Sequence, residues 1–335
     1  MEYRILGKTN LKVSAIAMGS WQLSGPITID GKADGFPDIG RDQAIKLIHA
    51  CADLGINVID SAEIYGMDGE GERRIGAAIQ GNRDRWIIST KFGLRRGSNG
   101  ERIIDSSPQT IRTSLEGSLK RLQTDYVDIY LYHSFPDAAS LAEGKAILDT
   151  LKQEGKIRFY GISADNAPAV EQFVNQDAAD VVQFNQSLTT HSPEMLELVK
   201  QHHLGSMVRG ALGAGLLSGR YFHRRPQVST QDIRQPWLNR AGTRKYAAYE
   251  KFIPHGFSMS TLALRYLLDF PTTHTIVLGG KTITDYQDAI RVFQLSPLGE
   301  PIHDALVDLR LRLQQPSFKR QVVNTLKQVL VGSRA

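Results

Sequence analysis

The sequence predicts an α/β protein built as a (β/α)8 (TIM) barrel, with an N-terminal β-hairpin and extra C-terminal helices. Three observations carry that prediction. Counting from Ala15, eight short apolar runs recur along the chain, each followed by sequence with helical periodicity. The runs are too continuously apolar for strands with one face in water, as expected of a parallel sheet covered on both faces. A closed barrel accommodates eight such repeats better than an open sheet. No G-x-G-x-x-G fingerprint follows an early run, so the dinucleotide-binding half-fold is not favoured.

At 335 residues the chain suffices for one barrel domain spanning residues 1–335. Tyr3, Ile5, Leu11 and Val13 alternate around Gly7-Lys8-Thr9-Asn10, predicting a hairpin that closes the barrel bottom. Residues 14–18 read as the first strand, and residues 22–41, rich in Gly and Pro, as a loop over the top. Asp42 is read as the cap of a helix whose apolar positions are Ile45, Ile48, Ala52 and Leu54. Further strands are predicted at 56–60, 86–90, 126–132, 157–162, 181–184, 207–212 and 275–278. Helices are predicted at 69–80, 108–122, 140–154, 168–175, 193–202, 260–269 and 284–293. The helix over 108–122 is the clearest, with Ile111, Leu115, Leu119 and Leu122 at helical spacing.

Two segments exceed the repeat. Residues 213–257 form a long insertion after the seventh strand, with Arg-rich turns and Pro236-Trp237. Residues 301–335 form a helical extension, with helices expected over 301–313 and 318–331. It either covers one end of the barrel or mediates self-association, and the sequence does not choose.

Composition sets the class of partner. Hydrophobic residues make up 41% and charged residues 22%, ordinary for a soluble globular protein. The net charge of +5 is spread without long blocks, which argues against a nucleic-acid surface. It leaves room for a locally positive pocket that takes an anionic cofactor. Cys51 is the only cysteine, so intrachain disulfides and cysteine metal clusters are excluded. The first residues lack the apolar core of a signal peptide, and no run approaches membrane-spanning length. A cytoplasmic protein with neither nucleic-acid nor membrane partners is the simplest expectation.

Residues 56–66 hold the first functional signal. The run Ile56 to Ile59 ends in Asp60, and Tyr65 follows in a turn closed by Gly66. Other runs end similarly, in Lys91, in His133, in Ser163 with Asp165 and Asn166 beyond, in Gln183, and in Arg209. Each residue alone has an ordinary reading: Asp60 as a helix cap, Lys91 as a solvated strand end, His133 as a hydrogen-bonded histidine. A closed barrel would gather them around one mouth, where the active sites of such barrels lie. Asp60, Tyr65, Lys91 and His133 then make sense as an acid site. A phenol with a reference pKa of about 10 needs a nearby cation to favour its phenolate. Lys91 supplies that cation, Asp60 keeps it charged, and His133 polarises a carbonyl oxygen. A reduced nicotinamide is the natural electron source for such a site. The same residues with Glu63 also suggest a metal site. Without a His-x-His pair on the first strand or a second well-placed histidine, that reading ranks lower and no metal is expected.

With these residues identified, the chain resembles the aldo-keto reductase superfamily from about residue 3 to about residue 290. The matching segments are Asn57-Val-Ile-Asp-Ser-Ala-Glu-Ile-Tyr-Gly, Ser89-Thr-Lys91, Val127-Asp-Ile-Tyr-Leu-Tyr-His133, Gly155-Lys-Ile-Arg-Phe-Tyr-Gly-Ile-Ser163, Val182-Gln-Phe-Asn185 and Leu212-Gly-Ala-Gly-Leu-Leu-Ser-Gly219. The resemblance implies an NAD(P)(H)-dependent oxidoreductase that interconverts aldehydes or ketones with alcohols. It implies Tyr65 as general acid/base, tuned by Asp60 and Lys91, with His133 orienting the carbonyl. Ser163 and Gln183 would hold the nicotinamide carboxamide. Leu212, Gly213, Gly215 and Leu217 would lie along the pyrophosphate, and Gly279, Lys281 and Asp285 would face the adenosine ribose and any 2′-phosphate.

Three positions depart from the family's pattern. Ser163 is followed by Ala164 where the family commonly has Asn, leaving Asn166 as the substitute. Arg209 stands where many members stack an aromatic on the nicotinamide, as in some bacterial and potassium-channel-β-like branches, and would stack through its guanidinium plane. Lys281 suits a 2′-phosphate, whereas Asp285 would repel it. The family's leaning makes NADP(H) the expected cofactor. A cofactor-binding regulatory protein with little turnover and a physiological alcohol or sugar dehydrogenase are the alternatives. Substrate choice would fall to the loops 21–40, 93–107 and 213–257, with Trp21, Phe92, Phe135 and Trp237 as candidate aromatic walls. Arg95-Arg96 reads either as an attractor of acidic substrates or as solvated loop charge.

Overall fold

In the computed structural model, which describes residues 1–224, 226–238 and 243–314 (without the side chains of 138, 139 and 237), eight strands close into a barrel. They are β1 (Ile16–Gly19), β2 (Val58–Asp60), β3 (Ile87–Phe92), β4 (Val127–Tyr132), β5 (Ile157–Ser163), β6 (Val181–Asn185), β7 (Gly205–Arg209) and β8 (Thr275–Leu278). Every neighbouring pair is parallel, and β8 returns to β1 through Ile276 opposite Ile16. The connecting helices are α1 (Arg41–Asp53), α2 (Glu70–Ile79), α3 (Pro108–Leu122), α4 (Ala138–Gln153), α5 (Ala167–Asn175), α6 (Pro193–Gln201), α7 (Met259–Leu268) and α8 (Ile283–Ile290). The predicted barrel is therefore the observed fold, and all eight predicted strands lie in it.

Strand alternation divides the core in two. Ala17, Val58, Ile129, Leu131, Val181 and Met207 pack inside the barrel, and Leu6, Leu11 and Val13 of the N-terminal hairpin plug its bottom. The hairpin pairs Tyr3–Ile5 with Lys12–Ser14. Their strand neighbours of opposite parity, such as Ile16, Ile59, Ile88, Tyr130, Val182 and Val208, pack outward under the helices. Gly161 of β5 stands opposite Val181, and a β-carbon there would lie 1.8 Å from the Val181 carbonyl oxygen. Gly161→Ala is therefore expected to force β5 from β6 and to cost roughly 3 kcal/mol in urea denaturation. A loss below about 1 kcal/mol would mean that the strand spacing relaxes freely.

Several boundaries differ from the sequence reading. Asp42 does not cap α1; Gly40 is the N-cap residue without a side-chain bond, and Asp42 lies in the first turn, where its charge favours the helix dipole. The seventh strand stops at Arg209 rather than 212, because Gly210 turns the chain at φ 71°. The predicted helix over 284–293 splits into α8 and a 3-10 turn, Arg291–Gln294. The top loops carry structure of their own: paired strands Thr28–Ile29 and Lys32–Ala33, and a hairpin of Leu94–Arg96 with Arg102–Ile104. The insertion contains the 3-10 turn Gly213–Ser218, the short helix Gln235–Leu238 and the 3-10 helix Thr243–Phe252.

The first helix of the extension, α9 (Glu300–Gln314), lies back on the barrel. Leu306 is buried, Arg310 donates to the Tyr266 hydroxyl at 3.1 Å, and Lys245 of the insertion reaches the Leu313 carbonyl at 3.0 Å. The helix expected over 318–331 lies outside the described residues. Among the described residues no helix is long and apolar enough to cross a membrane.

Candidate active site

The polar residues at the strand ends keep the parity of the barrel interior. Asp60 follows the interior Val58 by two positions, Gln183 follows Val181, Arg209 follows Met207 and His133 follows Leu131. On β3, Ile87, Ser89 and Lys91 share the inward face. Packing the lower barrel with apolar side chains thus carries these groups inward at the C-terminal mouth.

There they join into one buried network. The Lys91 ammonium donates to Asp60 Oδ2 at 2.7 Å and to the Ser61 carbonyl at 2.6 Å. Lys91 is 0% exposed and Asp60 3%, so the pair is desolvated. Asp60 Oδ1 accepts from Ser89 Oγ and from Gln183 Nε2, each at 3.0 Å. Gln183 Oε1 in turn accepts from Ser163 Oγ at 3.0 Å. Burial, the largest single influence, pushes the Lys91 pKa down, but the Asp60 carboxylate and Tyr65, acting together through charge and hydrogen bonding, outweigh it and hold the lysine above its usual value, hence charged.

Tyr65 lies over this pair, with the Lys91 ammonium 5.2 Å from its ring centroid. Its turn is pinned by Tyr65 N–H to the Ala62 carbonyl at 3.0 Å and Gly71 N–H to the Tyr65 carbonyl at 3.0 Å. Gly66 has φ 79°, and a β-carbon there would strike the Ser24 carbonyl at 2.2 Å, so only glycine closes this turn. The His133 ring meets Tyr65 edge-on at 6.0 Å, and Trp21 stacks on its other side at 5.7 Å with 16° between planes. Phe36 braces Trp21 edge-on at 5.3 Å.

The electrostatics correct one expectation. Burial raises the Tyr65 phenol above its ordinary value, and the Lys91 charge only partly opposes this. Tyr65 therefore holds its proton at neutral pH rather than approaching a phenolate. Burial, then the Lys91 and Arg209 charges, drives the His133 pKa well below normal, so the imidazole is neutral. Its Nδ1 is buried without a hydrogen-bond partner among the described residues. A neutral imidazole and a protonated phenol face the same space, a pairing suited to a carbonyl oxygen.

The remaining candidates follow β5 to β8 around the mouth. Arg209 pairs with Asp165 at 2.7 Å, and Asp165 also accepts from the Asn185 backbone at 2.7 Å. Asn166 uses its side-chain oxygen as the N-cap of α5, accepting from Ala169 N–H at 3.1 Å. Leu212 and Leu217 turn into the core, whereas Gly213 and Gly215 hold left-handed backbone at φ 53° and 97°. Gly279 packs directly against the Gln22 side chain. Arg234 donates to the Ala214 carbonyl at 3.2 Å, and Arg234 and Lys281 approach one Phe36 ring at 5.2 and 5.1 Å. Two cations at one ring beside the Asp232 carboxylate, along a glycine turn, form a positive edge that can hold an anionic group.

Asp285 is not the bare charge the sequence suggested. It forms a capping box with Thr282, accepts from the Lys281 and Thr282 amides at 3.0 and 3.1 Å, and pairs with Arg220 at 2.7 Å. Arg220, Arg234 and Ser89 are the residues that sequence reading missed. Ser89 shares Lys91's inward parity and was findable; the two arginines sit in the insertion, where no periodicity marks them. Two predicted aromatic walls fare differently. Phe92 is fully buried against Tyr130 and Tyr132 and does not line the mouth, because its parity is outward. Phe135 is exposed beside Phe173. The Trp237 side chain lies outside the described residues. Among the described residues no group of three or more His, Cys, Asp or Glu is arranged to hold a metal ion.

Known proteins are similar to this chain in sequence and in architecture. The chain is 28% identical over 302 residues to the uncharacterized oxidoreductase YqkF of Bacillus subtilis, covering 90% of this chain and 94% of that one. It is 31% identical over 229 residues to an NADH-specific methylglyoxal reductase of Escherichia coli, covering 64% of this chain and 68% of that one. The structure of the glycerol dehydrogenase AKR11B4 from Gluconobacter oxydans superimposes with a TM-score of 0.78 at 27% identity, over 94% of this chain and 96% of that one. The Aldo/keto reductase family profile matches residues 15–308. With nearly the whole barrel matched, the chain belongs to the aldo/keto reductase family.

Proposed function

We propose that the protein is an NAD(P)(H)-dependent oxidoreductase that reduces an aldehyde or ketone to an alcohol, reversibly, with Tyr65 as the proton donor. The observation that carries this reading is the buried Asp60–Lys91 pair beneath Tyr65, with neutral His133 at its side. The Tyr65 hydroxyl gives its proton to the carbonyl oxygen as that oxygen becomes an alkoxide, and the Lys91 ammonium stabilises the phenolate left behind. Asp60 keeps Lys91 charged, and His133 orients the carbonyl oxygen through a ring nitrogen. A bound reduced nicotinamide supplies the hydride to the carbonyl carbon. Ser163, Gln183 and Arg209 would hold the nicotinamide, with Trp21 walling the substrate side. Activity of the purified protein across a panel of carbonyls and alcohols with both cofactors tests the reading. Cofactor binding without turnover of any panel member would favour a regulatory protein instead.

The finer assignment is NADP(H) over NAD(H). Lys281 supports it, and the compensation of Asp285 by two amides and Arg220 removes the repulsion that the sequence suggested. Arg220, with its side chain 70% exposed and paired to Asp285, would present its remaining guanidinium donors to a 2′-phosphate. NADPH is expected to bind about tenfold tighter than NADH, and Lys281→Ala with Arg220→Ala to erase most of that difference. Equal or tighter NADH binding by fluorescence titration would overturn the preference.

A further inference from the structure

Two features of the sequence take no part in this chemistry: Glu63, between Asp60 and Tyr65, and the basic pair Arg95-Arg96. The fold brings them into one cleft of about 710 Å³ outside the barrel mouth. Its walls are the 63–69 turn, α2 at Arg73, the hairpin at Arg95 and Arg96, and the α3 face carrying Ser114 and Arg121. Ile64 and Gly66 form part of the wall, while the ring of Tyr65 between them turns away toward Lys91 and Trp21.

The charge in the cleft is unbalanced. Arg121 is held by the buried Glu72 at 2.7 Å, and Arg95 reaches Asp105 at 3.3 Å. Arg73 donates only to the Asp68 carbonyl at 3.4 Å, and Arg96 only to the carbonyls of Thr28 and Gly97 at 3.0 and 3.4 Å. Among the described residues neither has a carboxylate partner. The space is also kept open for guanidinium groups. A β-carbon at Gly69 or Gly117 would stand 2.5 or 3.0 Å from the Arg121 side chain. Guanidinium forks with free donors, converging on one concave space beside the Ser114 hydroxyl, recognise phosphate or carboxylate oxygens.

We propose that this cleft binds a small polyanion carrying phosphate or carboxylate groups, at a site separate from the cofactor, and that its occupancy acts on the catalytic turn. Glu63 is the link. Its N–H donates to the Lys91 carbonyl at 3.2 Å, and its carboxyl accepts from Gly93 N–H at 3.0 Å. One residue in the cleft is thus tied at both ends to the strand that carries Lys91. The effect on turnover rests on the reductase reading above; binding does not.

Glu63 also gives the site a pH dependence. Burial lifts its carboxyl to about 7, against the Ser114 and Gly93 hydrogen bonds and the Arg121 charge, with Glu72 adding to the rise. The other charges facing the cleft are Asp68, Arg73, Arg95 and Arg96. The protonated carboxyl tolerates an anion and the carboxylate repels it, so Glu63 opposes binding increasingly as pH rises through neutrality.

Inorganic pyrophosphate, titrated calorimetrically into enzyme saturated with NADP+ at constant ionic strength, tests the proposal. One site per chain is expected, weakened by about tenfold or more in R73A/R96A, which retains basal carbonyl reduction. Glu63→Gln should keep binding, and its affinity relative to wild type should rise between about pH 6 and 8, a comparison in which the ligand's own ionisation cancels. Equal affinity in wild type and R73A/R96A, or equal heats from chloride, would overturn the site. Arginine-dependent binding that leaves the reduction rate unchanged would overturn the coupling alone. Absent turnover with arginine-dependent binding intact would count against the reductase reading and not against the site.

Discussion

Tyr65→Phe is expected to lower carbonyl reduction by roughly a thousandfold while leaving cofactor affinity within a factor of about two. The substitution removes one oxygen and keeps the ring that Trp21 stacks on and His133 abuts. The loss should therefore fall on kcat and not on the assembly of the mouth. Stopped-flow reduction and cofactor fluorescence titration separate the two. The pH profile carries a second expectation. Tyr65 titrates above its ordinary value and His133 well below its own, so neither changes protonation through neutrality. Reduction by the wild type should be level there and fall only at high pH, as the phenol loses the proton it must donate. Unchanged kcat in the phenylalanine variant would reject Tyr65 as the acid.

Much of this site was legible in the sequence because strand parity is rigid. Once Val58, Val181 and Met207 are assigned to the interior, Asp60, Gln183 and Arg209 follow inward with no freedom to do otherwise. The same parity would have excluded Phe92 from the mouth. The hydrogen bond between Gln183 and Asp60 was not legible, since it joins residues 123 apart and depends on barrel closure. Nor was the net direction of the Tyr65 shift. Residue identities reveal that a lysine is near, but only packing around the phenol decides that desolvation exceeds the lysine's pull. Asp42 failed as a cap for a local reason: Gly40 at φ 82° sets the helix start, leaving the aspartate inside the first turn. The pairing of Asp285 was not legible either, because its partner, Arg220, lies in the insertion 65 positions earlier.

Asp60→Asn is expected to cost about 3–5 kcal/mol of stability and most of the activity together. The wild-type carboxylate is the larger of the two groups, Asp60 and Tyr65, that hold the buried Lys91 charged against burial, and Asn replaces its charge with a dipole. The Ser61 carbonyl, which also accepts from the ammonium, is not enough to compensate a fully buried cation. Lys91 then either loses its proton or destabilises the barrel, and either outcome removes the cation beneath Tyr65. Asn keeps an oxygen for Ser89 and Gln183, so the loss reports the charge and not their hydrogen bonds. Adding Lys91→Met removes the uncompensated ammonium. The double variant should recover roughly 2–3 kcal/mol over Asp60→Asn while remaining inactive. Urea denaturation and single-turnover reduction on the three proteins measure the cycle. An active, stable Asp60→Asn enzyme would mean that Lys91 keeps its charge without the carboxylate; an active double variant would mean that no cation is needed beneath the phenol at all.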